Sequence, residues 1–372
     1  MPANCKISVS LAKCFGSYTF DMYQSPEEPT FRWKWLVIVP VIFLVGFLAY
    51  RWVFPAYTPP TLPVPNGYDE LIALSGKVAR RTGFYNEMSD QELASIIGIN
   101  EPILNDARKA LRKDCVVSLD WSADRNWFDN VHMPSIAGLR ELARAFAAEG
   151  KHARQQGDSR HAVTCGLEAL QLVPAVSYGG LGIDYLMGLG ICYGSVQFLR
   201  EVCDSATLED CRYVLNNLPD MRGQMEAPED LSLRERYFMR RINGAYFTFV
   251  TDQMFSANRA EFEERLKESL KIAEARTELL RLHYAIRAFH FAENRLPKTL
   301  EELSGRELKK IPSDPFGQGD FVYQPGKDRY ILYSVGINGA DDGGIGDERD
   351  REQGDLLLEP RESLGAETVP TN

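Results

Sequence analysis

Apolar and polar positions follow four different patterns along the chain. Between Lys34 and Arg51 sixteen consecutive residues are uncharged, and Leu36 to Tyr50 reads LVIVPVIFLVGFLAY. That is close to the length a helix needs to cross a bilayer. Lys34 and Arg51 can extend toward water, and Trp33, Trp35, Tyr50, Trp52 and Tyr57 flank the run as interfacial aromatics do. Pro40 falls in the first turns, where a missing N–H costs least. The pattern predicts a transmembrane signal anchor over 34–54. A cleaved secretory signal fits less well, because its charged leader would exceed 30 residues and Phe54-Pro55-Ala56-Tyr57 is a poor cleavage site. Lys13, Arg32 and Lys34 precede the span, whereas Arg51 alone follows it closely, so 1–33 is predicted as a cytoplasmic tail. The bulk of the chain is then extracytoplasmic, in a single-pass protein of the cytoplasmic (inner) membrane.

Prolines 59, 60, 63 and 65 make 55–67 an extended spacer. From 68 to 258 helical periodicity and capping signals dominate. Ser89-Asp90-Gln91-Glu92 and Thr207-Leu208-Glu209-Asp210 place a hydroxyl three residues before an acid, as a capping box does. Asn100 before Glu101-Pro102 predicts a helix start running to about Lys113. Further helices are predicted over about 135–156, 232–255 and 259–293. The last has Phe262, Leu266, Leu270, Ala273, Leu280, Tyr284 and Phe291 as its core stripe. From Ala169 to Leu199 Asp184 is the one charge, in a stretch rich in glycine. A second span is disfavoured by that acid and a phosphate loop by the missing Gly-Lys-Ser/Thr. The expectation is a buried helix with Gly190 and Gly194 on a close-packed face. Asp184 then needs a partner, for which Arg236, Arg240 and Arg241 are the candidates.

Residues 151–174, with Gly157-Asp158 at a turn, Ala162 and Ala169 within a helix and Pro174 at its end, resemble one tetratricopeptide hairpin. No second copy follows at a 34-residue offset, and an array needs about three or more repeats. The pattern supports a helix pair and, through it, a protein partner at the helical domain.

After the long helix the chain reads NRLPKTLEEL, then Ile311-Pro312-Ser313-Asp314-Pro315-Phe316-Gly317, then Tyr330-Ile331-Leu332-Tyr333-Ser334-Val335-Gly336, then Asn338 to Asp350 as NGADDGGIGDERD. Alternation over Tyr330–Val335 predicts a strand delivering the chain into a loop of Gly, Asn and Asp. Such a loop can converge the six to eight oxygens that calcium takes. It is not an EF-hand: with Asn338 at position one, position three is Ala340 and position twelve is Arg349. The string over about 283–350 resembles the globular part of type II secretion major pseudopilins. That resemblance implies a small α+β module and a structural Ca2+ ion. On the family pattern the acidic positions fall on Asn338, Glu348 and Asp350, with Asp341, Asp342 and Asp347 as alternates. A pseudopilin leader and its glutamate five residues into the apolar helix have no counterpart near 36–50. The likeness is therefore to a module joined to a different anchor.

The expected fold class is mainly α: a transmembrane helix, an α-helical extracytoplasmic domain (68–258), and a long helix with the pseudopilin-like α+β module (259–355). An acidic, disordered tail is expected over 356–372. The net charge is −10, and Asp341 to Asn372 carries ten acids against three bases, so the rest of the chain is nearly neutral. With no basic footprint, nucleic acid is excluded as a partner.

Enzyme signatures are sparse. There is no Gly-x-Ser-x-Gly, no His-Glu-x-x-His and no expected Cys/His metal spacing. His283 and His290 share a helical face without a third ligand. Cys203 and Cys211 either pair or are buried thiols, and an odd count of cysteines after the span leaves at least one free. The reading is a membrane-anchored structural or interaction protein of the bacterial envelope with a calcium-stabilised C-terminal module. The alternatives are a membrane-tethered enzyme with its site between the helices around Asp184, or an accessory protein of a type II secretion or pilus-like system.

Overall fold

Ser89 starts the first long helix of the body in the way its sequence demands. Its hydroxyl accepts the Glu92 N–H while the Glu92 carboxylate accepts the Ser89 N–H at 3.2 Å. Two of the four orphan donors of the first turn are thereby satisfied. The computed structural model describes residues 37–47, 57–79, 88–122, 124–244, 256–317, 319–327, 329–346 and 354–358. It divides into two units, Met1–Ala56 and Tyr57–Asn372.

In the first unit, residues 37–47 are helical (α1) and all are exposed, Phe43 by 74%. No helix among the described residues is long and apolar enough to cross a membrane. The remainder of the expected anchor, 34–36 and 48–54, lies outside the described residues, as do the tail 1–33 and its Cys5 and Cys14.

The second unit is mainly α. Its longer helices are α2 (Gly67–Ser75), α3 (Asp90–Ala110), α4 (Met133–Gln155), α5 (Ser159–Ser177), α6 (Gly182–Cys203), α7 (Leu208–Asn217), α8 (Pro228–Asn243) and α9 (Ser256–Glu293). A hairpin of β1 (Val322–Pro325) and β2 (Tyr330–Tyr333) follows, antiparallel, with Val322 opposite Tyr333. Helix α5 packs between α4 and α6, while α9 lies along α6 and α7. The Tyr284 hydroxyl, fully buried on α9, donates to the Leu199 carbonyl of α6 at 2.7 Å. One continuous core runs from Tyr68 to Leu358, so the helical domain and the long helix with its module share an interior.

Several local expectations are corrected. Asn100 does not start a helix: α3 runs through Pro102, and buried Asn100 instead accepts the Ala79 N–H at 2.9 Å. Ser89 has already nucleated the helix, and core contacts outweigh the one bond that Pro102 removes. Helix α5 likewise continues past Pro174 to Ser177. Gly190 and Gly194 face outward with open space around them; the close approaches are at Gly166 and Gly188. A Cβ on Gly166 would sit 2.5 Å from Leu199, and one on Gly188 would sit 3.1 Å from Ser177. Phe291 is 48% exposed, beyond the end of the core stripe, with the Arg287 guanidinium over its ring. Cys203 and Cys211 are buried free thiols.

The C-terminal module is tied to the body by side chains. His283 Nδ1 lies 2.7 Å from the Tyr330 hydroxyl, and the Tyr323 hydroxyl donates to the Pro297 carbonyl at 2.9 Å. Asp314, in the Ile311–Gly317 turn, accepts from the Ser334 hydroxyl and the Val335 and Phe316 amides. Leu356 pairs with Ser334 and Leu358 is 2% exposed, so the stretch expected as a tail from 356 is packed through Leu358. Residues 359–372 lie outside the described residues.

Candidate functional site

Asp184 sits in the first turn of α6 and is 1% exposed. Its Oδ2 accepts the Leu181 N–H at 2.8 Å and lies 3.0 Å from His132 Nε2. His132 ends a π-helical turn, Phe128–His132, which follows a short helix (Arg125–Trp127) capped by Asp124. The wider turn directs the imidazole inward, where Trp127 stacks on it at 5.1 Å and Phe128 adds a tilted contact. Single π turns of this kind are frequent at functional sites. Asp184 Oδ1 and the Tyr185 hydroxyl are buried without a hydrogen-bond partner among the described residues.

The partner expected for Asp184 was an arginine of α8, and that expectation is overturned. Leu231, Arg234 and Phe238 form the buried face of α8; Arg236 and Arg240 stand half-buried off that face, and Arg241 is exposed in the last turn. Arg241 instead reaches the Trp121 carbonyl, and Arg234 is the buried arginine of α8. Arg234 donates to Glu226, to the Gly180 carbonyl at 2.6 Å and to the Tyr57 hydroxyl at 2.8 Å. Glu235, next to it, accepts the Gly182 N–H at 3.1 Å. Burial pushes the Glu235 carboxyl up; the Gly182 N–H opposes this and the charge of Asp184 reinforces it. His132, Asp184 and Glu235 thus cluster at the start of α6. Trp127 and Phe128 pack against the His132 ring and Asp184 is 1% exposed, so the pair is placed to pin α6 to the π turn.

The sequence-predicted ion loop divides into a described and an undescribed part. Asn338 Oδ1 accepts the Ala340 N–H at 3.0 Å and its Nδ2 donates to Asp342 at 2.9 Å. Asp341 accepts from the Tyr333 hydroxyl at 2.7 Å and from the Gly343 N–H at 2.9 Å. Asp347, Glu348 and Asp350 lie outside the described residues. Asp355, which the sequence reading did not single out, organises the loop from behind. It accepts the Gly344 N–H at 2.6 Å and the Asp342 N–H at 3.3 Å. Burial pushes its carboxyl up against the pull of those two amides, and Asp341 and Asp342 add like charge. Gly344 has φ of 78° and Gly346 leaves no room for a Cβ beside the Asp355 carbonyl, so two glycines are required by the backbone path. Among the described residues, the loop carboxylates do not close into a group of metal-ligand spacing.

Two further sequence expectations meet different outcomes. His283 is buried against Tyr330 while His290 is exposed, and they share no ligand role. No Cys/His metal spacing was expected from the sequence, yet Glu149, His161 and Cys165 bring one ligand atom each to within 4.8 Å of one another. The i, i+4 spacing of His161 and Cys165 is visible in the sequence; Glu149 joins them only through the turn between α4 and α5. No protein-family model matches this chain, and no curated protein or solved structure matches it.

Proposed function

We propose that this chain is a single-pass, membrane-anchored protein of the bacterial envelope that works through binding rather than chemistry, with calcium ordering its pseudopilin-like C-terminal module. The observation that carries the reading is the exposed apolar helix 37–47. Nine large apolar side chains stand in solvent there, from Val37 to Phe47. A contiguous apolar surface of that kind marks a membrane or protein contact. The aromatic and basic flanks in the sequence favour the bilayer. Alkaline carbonate extraction of membranes from cells expressing the full chain tests this: retention in the pellet supports the anchor, and release into the supernatant removes it. Protease accessibility of the body from the periplasmic side tests the orientation.

The buried His132–Asp184 pair favours a second reading, a membrane-tethered enzyme with its site around Asp184. Histidine held by a carboxylate is a general-base arrangement when substrate can reach it. Diethyl pyrocarbonate labelling of the folded chain separates the two: modification of His132 supports the enzyme, and protection until unfolding assigns the pair to architecture.

A further inference from the structure

We propose that Glu149, His161 and Cys165 form a binding site for one transition-metal dication of the zinc class, with a fourth coordination position open to solvent. Glu149 lies near the end of α4, and His161 and Cys165 lie one turn apart at the start of α5. Gly157, at φ 79°, and Asp158, which caps α5 through the His161 N–H, reverse the chain between them. Gly150 lets the two helices close, since a Cβ there would meet the Cys165 Cβ at 3.0 Å. All three ligands therefore stand on rigid helices in a short hairpin, which holds a site more closely than loops do.

The distances suit a tetrahedral ion. Zinc bond lengths place an imidazole nitrogen about 3.3 Å from a carboxylate oxygen and about 3.6 Å from a thiolate sulfur. His161 Nε2 lies 3.1 Å from Glu149 Oε1 and 3.8 Å from Cys165 Sγ. Glu149 and Cys165 are buried, whereas the His161 side chain is 42% exposed, so the site has a floor and an entrance. The other oxygen of Glu149 is fixed by Arg108 at 2.7 Å, and Arg108 also grips both oxygens of Glu168 at 2.8 and 2.9 Å. That is the outer-shell orientation that metal-binding carboxylates receive. Glu149, Glu168 and Arg108 together carry one negative charge. A dication and the Cys165 thiolate bring the cluster to neutrality, with the thiol proton leaving to solvent.

The donor set also discriminates between ions and between roles. One nitrogen, one sulfur and one carboxylate suit zinc, cobalt or nickel, not calcium, which takes oxygen ligands only. Cys165 acting alone as a nucleophile is disfavoured, because burial and then the charges of Glu149 and Glu168 push its thiol up and attack needs a thiolate. A bound dication deprotonates such a thiol outright.

The test is titration of the metal-free full chain in detergent with Co2+, followed by displacement with Zn2+. One equivalent should bind, giving tetrahedral d–d bands and a thiolate-to-cobalt charge-transfer band. His161→Gln, at a partly exposed position, should keep the fold and weaken binding more than tenfold; Cys165→Ser should abolish the charge-transfer band. His290→Gln, on the exposed end of α9, should change neither. Absence of the bands in the unmodified chain, or their survival in His161→Gln and Cys165→Ser, overturns the site. Neither membrane release nor lack of calcium uptake bears on this result.

Discussion

His132 Nε2 lies 3.0 Å from Asp184 Oδ2, and the two side chains are 3% and 0% exposed. The pair joins a π turn before α4 to the first turn of α6, two segments 52 residues apart. Replacing Asp184 by Ala leaves the His132 nitrogen and the Leu181 N–H buried and unpaired, and should cost about 3 kcal/mol. Replacing His132 by Ala adds a cavity beside Trp127. A double-mutant cycle by urea denaturation should return a coupling of about 1.5–3 kcal/mol. Coupling near zero would mean that the contact does not hold the helices together.

His283 should make the body acid-sensitive in a defined window. Burial, and then the positive charge of Arg200, hold its imidazole well below the ordinary histidine value. The unfolded chain takes up that proton near pH 6.5 while the folded one does not, so this contribution is complete above about pH 6.5 and declines below it. At pH 5.5 the folded chain should be roughly 1 kcal/mol less stable than at pH 8 on this account. Denaturation midpoints of the native chain and of His283→Gln at the two pH values isolate the effect. An identical pH dependence in both chains would sink it.

The glycines of the helical core give a paired test. Gly166→Ala on α5 drives a methyl into Leu199, 2.5 Å from the new carbon, and should destabilise by about 1–3 kcal/mol. Gly190→Ala on α6 meets open space and should stabilise by about 0.5–1 kcal/mol, because a helix-interior glycine carries an entropic penalty. Thermal melts of the two variants should move in opposite directions.

What could be read from the chain alone divides along sequence separation. Ser89 with Glu92, Thr207 with Asp210, and the Gly157-Asp158 turn are local, and each forms as its residue types require. The mainly helical character followed from these signals and from periodicity. Identical residue types misled where tertiary packing decided: Asn100 looked like a cap, but Ser89 had already started the helix. Gly190 looked like a packing residue, but the phase of α6 turns Gly188 inward instead. Asp184 was legible as a buried acid needing a partner. Its partner was not legible, because no periodicity announces that a π turn will deliver His132 from so far along the chain. The Glu149–His161–Cys165 group was half legible, as an i, i+4 pair without its third member. Asp355 was hidden for another reason: it looked like one more acid in an acidic stretch, whereas the backbone amides of Asp342 and Gly344 select it.

Calcium should raise the stability of the C-terminal module more than a screening salt does. Asp341, Asp342 and Asp355 stand close enough for the first two to act electrostatically on the third, and burial already disfavours ionised Asp355. A carboxyl whose folded value is raised costs stability once the pH exceeds its unfolded value near 4, and the cost is relieved as the pH falls or as a cation binds. Calcium at about one hundred times its dissociation constant should stabilise by about 2.7 kcal/mol. Differential scanning calorimetry of the full chain in calcium, in magnesium and in chelator reads this as a rise in Tm specific to calcium. The Asp341→Asn, Asp342→Asn double variant should melt higher than the native chain in chelator and gain less from calcium. Equal melting of the native chain in calcium and chelator would end the calcium reading, while leaving the Glu149–His161–Cys165 site to its own cobalt titration.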